Sequence, residues 1–242
     1  MAEGYDVTAQ FYDILAADGR TAVLDELGPL LSAQVIEGPI ADIGAGTGLA
    51  TRAIARAVPQ VPILALEPHP VMRASLMTRI CDDPDLRART TVLPVPVLEA
   101  RLPTLGAVVL AASIHHFSPT ERGQLLAALS DALFPGGRVL IEIQCASSED
   151  IAETPFAKAK LGEVSYQGWM SARRLDDDRQ SWRMQYAAAR DDAEIERQTA
   201  DYVCWVLSAA DLISAASEYG FSGRIAGAWV ELAASKGRSS AA

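Results

Sequence analysis

The chain has 242 residues, half of them apolar, with 31 acidic against 21 basic side chains and a net charge of −10 at pH 7. That is ample for the core of one α/β domain with a small insertion, while the acidic balance, without a stripe of lysine and arginine, argues against nucleic acid or an anionic membrane surface as a partner. No apolar run has the length of a bilayer span, no basic-then-apolar secretion signal opens the chain, and Cys81, Cys145 and Cys204 lack Cys-x-x-Cys spacing, so a cytoplasmic protein with reduced thiols and no metal site is expected.

Residues 5–17 and 21–31 have the spacing of two amphipathic helices, and the first carries Phe11 and Tyr12, which could simply pack on a sheet. Residues 39–49, Pro-Ile-Ala-Asp-Ile-Gly-Ala-Gly-Thr-Gly-Leu, form an apolar strand holding Asp42 that breaks into Gly44, Gly46 and Gly48. Glycine there allows positive φ and close approach of a ligand. Helical spacing follows from Leu49 to Val58 and stops before Pro59. The second strand, 61–66, ends at Glu67, about 20 residues past the glycines, where an acid can take both hydroxyls of a ribose. Pro70 opens a helix that runs to Ile80 and contains Met72, which could be plain core, as His69 before it could be a solvated loop residue.

A short third strand spans 90–94 and a fourth spans 105–112, feeding His115 and His116. Ligands sit beyond the carboxyl ends of strands in an open parallel sheet, so these histidines are the best acid–base candidates, with structural packing the rival role for each. A helix over 120–134 ends at Pro135-Gly136-Gly137, and 138–144 is a fifth strand. Between 146 and 178 the periodicity fades, which suggests a mobile or substrate-shaping insert. Residues 180–189 and 195–206 alternate around Arg190-Asp191-Asp192 like an antiparallel hairpin. Ser208 caps a helix over 209–219 that Gly220 stops, 226–233 is a reversed last strand, and 235–242 is a polar tail expected to be disordered.

A dinucleotide loop needs glycine at its first, third and sixth positions, and the sixth here is Leu49. The spacing Asp42-x-Gly44-x-Gly46-x-Gly48, with Glu67 after the second strand and Leu133-Phe134-Pro135-Gly136-Gly137-Arg138-Val139-Leu140, instead resembles the class I S-adenosylmethionine-dependent methyltransferases. The resemblance runs over almost the whole chain. It implies a Rossmann-like, doubly wound α/β fold with a mostly parallel seven-stranded sheet and an antiparallel last strand. The implied division is a helical cover (1–34), a cofactor-binding core (35–145), an insert with a hairpin (146–207), a closing helix and strand (208–234) and a tail (235–242).

The same resemblance implies S-adenosylmethionine as cofactor and S-adenosylhomocysteine as product. Asp42, Gly44, Ala45, Gly46 and Gly48 would form the loop, Glu67 would bind the ribose, and His69, Met72, Val97 and Ala111 would line the adenosyl site. Tyr12 would reach the methionine carboxylate. Many relatives carry an aspartate beyond the third strand, where this chain reads Val95-Pro96-Val97-Leu98-Glu99; Glu99 could replace it by a shifted register.

The hairpin with Trp182 and Arg183, followed by a helix closing in Tyr-Gly-Phe, loosely resembles bacterial small-molecule methyltransferases that include sugar N-methyltransferases of natural-product pathways. In those the hairpin lies near the substrate, so Tyr166, Trp169, Trp182, Arg183 and Trp205 become candidate contacts, with hairpin core or surface as the other role for each. The implied reaction is methyl transfer to oxygen, nitrogen or carbon of a small-molecule acceptor in secondary metabolism, with His116 or His115 taking the proton. A homodimer is a further possible assembly. Two alternatives stay open: a protein of this fold that has lost transfer and serves as cyclase, regulator or partner subunit, and a nicotinamide oxidoreductase, which fits Glu67 but neither the glycine spacing nor the Pro-Gly-Gly segment.

Overall fold

The computed structural model describes residues 4–33 and 35–234, so the 235–242 tail lies outside the described residues. Helices α1 (Tyr5–Asp25) and α2 (Leu27–Ser32) lead into β1 (Ile40–Ile43), α3 (Leu49–Ala57), β2 (Ile63–Leu66), α4 (Pro70–Asp82), α5 (Pro84–Arg89), β3 (Thr90–Leu93), β4 (Leu105–Leu110), α6 (Pro119–Ala132) and β5 (Leu133–Glu142). Four long strands follow: β6 (Ile151–Leu161), β7 (Val164–Arg174), β8 (Arg179–Arg190) and β9 (Ala193–Trp205). Then α7 (Ala209–Ser217), β10 (Phe221–Ala226) and β11 (Trp229–Ala234) close the chain.

The main sheet has the order β10-β11-β5-β4-β1-β2-β3. Strands β3, β2, β1, β4 and β5 are parallel, and β11 runs antiparallel between β5 and β10. The expected fold is thus present, with one strand more after α7 than the sequence suggested. One face of the sheet packs Ile43, Leu66, Val108 and Leu110 against Leu125 and Leu129 of α6 and Leu212 of α7. The other packs Ile40, Ala65 and Val109 against Leu27, Leu31, Ile54 and Leu76 from α2, α3 and α4. Strands covered on both faces read as continuous apolar runs, which is why the parallel core was legible. A buried ion pair crosses the reversed strand: Arg138 contacts Glu231 at 3.2 Å and donates to the Leu30 carbonyl at 2.7 Å.

Three expectations are corrected. The break between the two leading helices falls at Glu26 rather than at 18–20, because α1 runs through Gly19, where a single glycine costs only about 1 kcal/mol. A short helix, α5, stands ahead of β3, capped by Asp83, which accepts from the Asp85 and Leu86 amides. The largest correction concerns 146–178, which is not irregular. Its strands β6 and β7 pair with β8 and β9 in a separate antiparallel sheet ordered β6-β7-β8-β9. Register shifts between Ile151 and Thr154 and between Pro155 and Ala157 break the two-residue period of β6, an edge strand that tolerates proline. The hairpin turn after β8 does fall where it was read, with Asp191 and Asp192 both at positive φ.

Candidate active site

The carboxyl ends of β1, β2, β4 and β5 open into one cavity of about 1010 Å³ that α1 roofs and the antiparallel sheet walls. Polar ties fix the roof. Asp13 accepts from the Thr47 hydroxyl at 2.6 Å and pairs with Arg79, whose Nε donates to the Thr47 carbonyl at 2.8 Å. Farther along α1, Arg20 pairs with Glu142 at the end of β5, and Asp6 lies 3.4 Å from His69 Nε2.

The glycines have distinct jobs. Gly44, Gly46 and Gly48 all have positive φ, at 71°, 58° and 89°. A Cβ on Gly44 would stand 2.7 Å from Ser113 Cβ, and one on Gly48 would stand 2.7 Å from Leu76 Cδ1. At Gly46 the nearest atom would be 4.0 Å away, so this residue leaves open space on the cavity side. Gly44 and Gly46 line the cavity, whereas Gly48 caps α3 from behind. Asp42 and Ala45 do not line it either. Ala45 packs in the core, and Asp42 is fully buried, its Oδ2 accepting from Thr51 of α3 at 2.6 Å. Burial pushes the Asp42 carboxyl up to about 7, and its Oδ1 has no partner. These three residues shape the loop and stand off the cavity lining.

Glu67 does face the cavity. Its Oε2 accepts from the Gly46 amide at 2.7 Å and its Oε1 from the His69 amide at 2.8 Å, so the acid of β2 holds the glycine loop in place. Burial raises its pKa while the two N–H groups pull it down. Each oxygen keeps a free lone pair for a hydroxyl. Tyr12, His69, Met72, Val97 and Ala111 also line the cavity. The buried Nδ1 of His69 has no protein partner. Glu99 is exposed and lies off the lining, so Pro96, Val97 and Leu98 form that edge of the site instead.

The two histidines separate. His115 is buried, and its Nε2 accepts from the amides of Gln144 at 2.6 Å and Cys145 at 3.1 Å. Its Nδ1–H then donates to the Trp205 carbonyl at 3.3 Å. Burial brings its pKa down to about 4. With both ring nitrogens occupied by main chain, His115 is a brace between two loops, the packing role that the sequence left open for it beside acid–base work. His116 lies open to the cavity, its Nε2 2.6 Å from the Tyr5 hydroxyl and its ring edge-on to Tyr5 at 5.6 Å. Burial holds the Tyr5 phenol well above its ordinary pKa, so the phenol donates. Enclosure by the cavity walls lowers the pKa of His116, leaving a neutral imidazole at pH 7.

Of the five residues expected at the acceptor, only Trp182 lines the cavity. Tyr166 packs behind Phe11 at 6.4 Å, Trp169 lies under Arg197 at 5.1 Å, exposed Arg183 pairs with Asp201 at 2.8 Å, and Trp205 lies under Arg179 at 5.6 Å. Residues not foreseen take their place: Arg20, Phe156, Met170, Met184, Tyr186 and Tyr202. A signal existed for three of them. Trp182, Met184 and Tyr186 alternate along β8, so one face of that strand carries all three. Arg20 is the one basic residue of α1. Among the described residues no group of His, Cys, Asp and Glu could hold a metal ion.

A glycine loop after β1, an acid after β2 bound to that loop, and β11 reversed into the sheet define the class I methyltransferase fold. The family described as a methyltransferase domain matches residues 41–139, from β1 into β5. Solved structures with this fold include DesVI of Streptomyces venezuelae, at 15% identity and a TM-score of 0.74 over 96% of this chain and 97% of that one. The sugar N-methyltransferase KedS8 of a Streptoalloteichus species is 16% identical with a TM-score of 0.73, covering 98% and 94%. CalS10, an amino pentose methyltransferase of Micromonospora echinaspora solved with S-adenosylmethionine bound, is 15% identical with a TM-score of 0.70, covering 89% of each chain. No curated protein matches the chain in sequence.

Proposed function

We propose that the protein is an S-adenosylmethionine-dependent methyltransferase acting on an amine or hydroxyl of a small molecule, in the cytoplasm and in secondary metabolism. The observation that carries this reading is the bond from Glu67 to Gly46: an acid with spare lone pairs clamps a glycine whose free side faces the cavity. Glu67 would take the ribose hydroxyls, Gly44 and Gly46 would admit the methionyl part, Met72 and Val97 would enclose the adenine, and Tyr12 with Arg20 would face the methionyl carboxylate. The His69 Nδ1 would gain a partner on the adenosyl side. When bound, this cofactor offers a sulfonium methyl for in-line displacement, so the protein chiefly aligns the acceptor and excludes water.

His116 is the residue placed to receive the acceptor's proton. It is neutral at pH 7 and its Nε2 accepts from the Tyr5 hydroxyl, so the proton would travel through that phenol: the acceptor's N–H or O–H bonds the Tyr5 oxygen and gives it a proton as the phenol passes its own to Nε2, leaving the phenol neutral and the imidazole protonated. Calorimetry with S-adenosylmethionine, S-adenosylhomocysteine and NAD tests the cradle in wild type and Glu67→Ala. Adenosyl binding that is lost in the variant, with no heat from NAD, supports the reading; absence of adenosyl binding refutes it.

A further inference from the structure

The cavity is wider than the cofactor cradle, and its outer wall has an unusual chemistry. From the antiparallel sheet come Phe156, Met170, Trp182, Met184 and Tyr186, and from α1 come Phe11, Ile14 and Leu15. The polar handles on this wall are already spoken for within the protein. Trp182 Nε1 donates to Gln180 Oε1 at 2.8 Å, the Tyr186 hydroxyl is 3.0 Å from Thr8 Oγ1, and the Tyr202 hydroxyl bonds the same Thr8 oxygen. Tyr186 further lies flat on Phe11, with centroids 4.8 Å apart and planes 2° apart. Burial pushes the Tyr186 phenol up to about 12 and the Cys204 thiol also to about 12, so neither presents a charge. A ligand meeting this wall meets ring faces and thioethers. Thioethers adapt to irregular apolar shapes.

Cations on the lining are few. Among the described residues, Arg20 and Lys158 are the only arginine or lysine side chains there. Arg20 pairs with Glu142 and belongs to the cofactor side, where it would face the methionyl carboxylate, and Lys158 stands exposed on the edge strand β6. A phosphate ester or nucleoside diphosphate needs several convergent donors, commonly arginine forks, and the acceptor side does not assemble them. We infer that the acceptor presents an alkyl or aryl body to the wall formed by Met170, Trp182, Met184 and Tyr186, bears no phosphate, and offers its amine or hydroxyl toward His116. This inference rests on the methyltransferase reading for the direction of the reacting group and adds the acceptor's class.

The test is a binding series on the wild-type protein, with and without saturating S-adenosylhomocysteine, using primary ω-phenylalkylamines of increasing chain length and an amino sugar 1-phosphate. Affinity should rise about 2- to 4-fold with each methylene until the wall is covered, and Met184→Asp should flatten that rise while leaving S-adenosylhomocysteine binding within about twofold. Flat affinity along the series, or tighter binding of the sugar phosphate, overturns the inference. Because the series is also read without S-adenosylhomocysteine, failure of the nucleoside to bind strikes only the methyltransferase reading, whereas a flat series beside normal nucleoside binding strikes only the acceptor class.

Discussion

Alanine at Gly46 and at Gly48 should separate cofactor binding from stability within one three-residue loop. Both glycines lie in the left-handed region, where a Cβ costs about 1–2 kcal/mol. At Gly46 the added methyl meets nothing closer than 4.0 Å, so the folding cost stops there, and the melting temperature should fall by about 2–8 °C. The methyl nevertheless occupies cavity space where the ligand must approach, an overpacking of about 1–3 kcal/mol that weakens S-adenosylhomocysteine about 5- to 150-fold. At Gly48 the methyl would stand 2.7 Å from Cδ1 of Leu76, which is fully buried and cannot turn away. Strain and overpacking then add, for a destabilisation of about 2–5 kcal/mol, while affinity measured below the melting point stays near wild type because Gly48 is off the cavity lining. Thermal melts and calorimetry on both variants give the comparison. Wild-type affinity in Gly46→Ala, or a larger affinity loss in Gly48→Ala than in Gly46→Ala, would refute the division of labour drawn from the loop.

Asp42 has a folded pKa of about 7 against 3.8 ordinarily, so the folded state holds an extra proton between those values and loses stability as pH rises through 7. Asp42→Asn should therefore melt higher than wild type at pH 8, by at most about 4 kcal/mol, with the gap closing toward pH 4; equal melting at both pH values would contradict the buried charge. For His115 the sign is opposite. Its pKa falls from 6.5 to about 4, so the unfolded chain binds the proton first and stability drops by about 3 kcal/mol as pH goes from 6.5 to 4. His115→Gln should lower the melting temperature at pH 7 yet show a shallower decline over that window, and parallel pH profiles would count against the brace. Arg138→Met strips the buried partner from Glu231 and should cost about 3 kcal/mol in chemical denaturation; a cost below about 1 kcal/mol would mean that Arg224, which also pairs with Glu231, suffices alone.

The parallel core was legible because each of its devices is local. The apolar runs of β1, β2 and β4, the glycines after β1, Glu67 after β2 and Pro70 at the head of α4 all stand within a short stretch of sequence. The acceptor wall was not, since its residues meet only through pairing of distant strands: Met170 faces Met184 across β7 and β8, and Phe156 comes from a strand whose period is broken twice. Aromatic character was a poor guide there. Trp169 and Arg183, expected at the acceptor because the resemblance puts the hairpin near it, spend ring and charge on neighbours, Arg197 and Asp201. The histidine pair shows the same limit in miniature. Adjacent residues in one short turn took opposite roles because the amides of Gln144 and Cys145 reach the first imidazole and the phenol of Tyr5 reaches the second.

His115 also marks where the chain leaves the core and where it comes back. Its ring holds the departing segment through the amides of Gln144 and Cys145 and the returning one through the Trp205 carbonyl, and the Leu207 amide closes the gap by donating to the Cys145 carbonyl at 2.9 Å. The whole four-stranded sheet lies between those points, tied to the core at this hydrogen-bonded doorway and to α1 through Thr8 and Phe11. For evolution, and for anyone recombining such enzymes, that makes the sheet a cassette: a replacement of different length or lining need only keep these main-chain partners at the doorway, together with a seat for α1, to give the same cradle a new client.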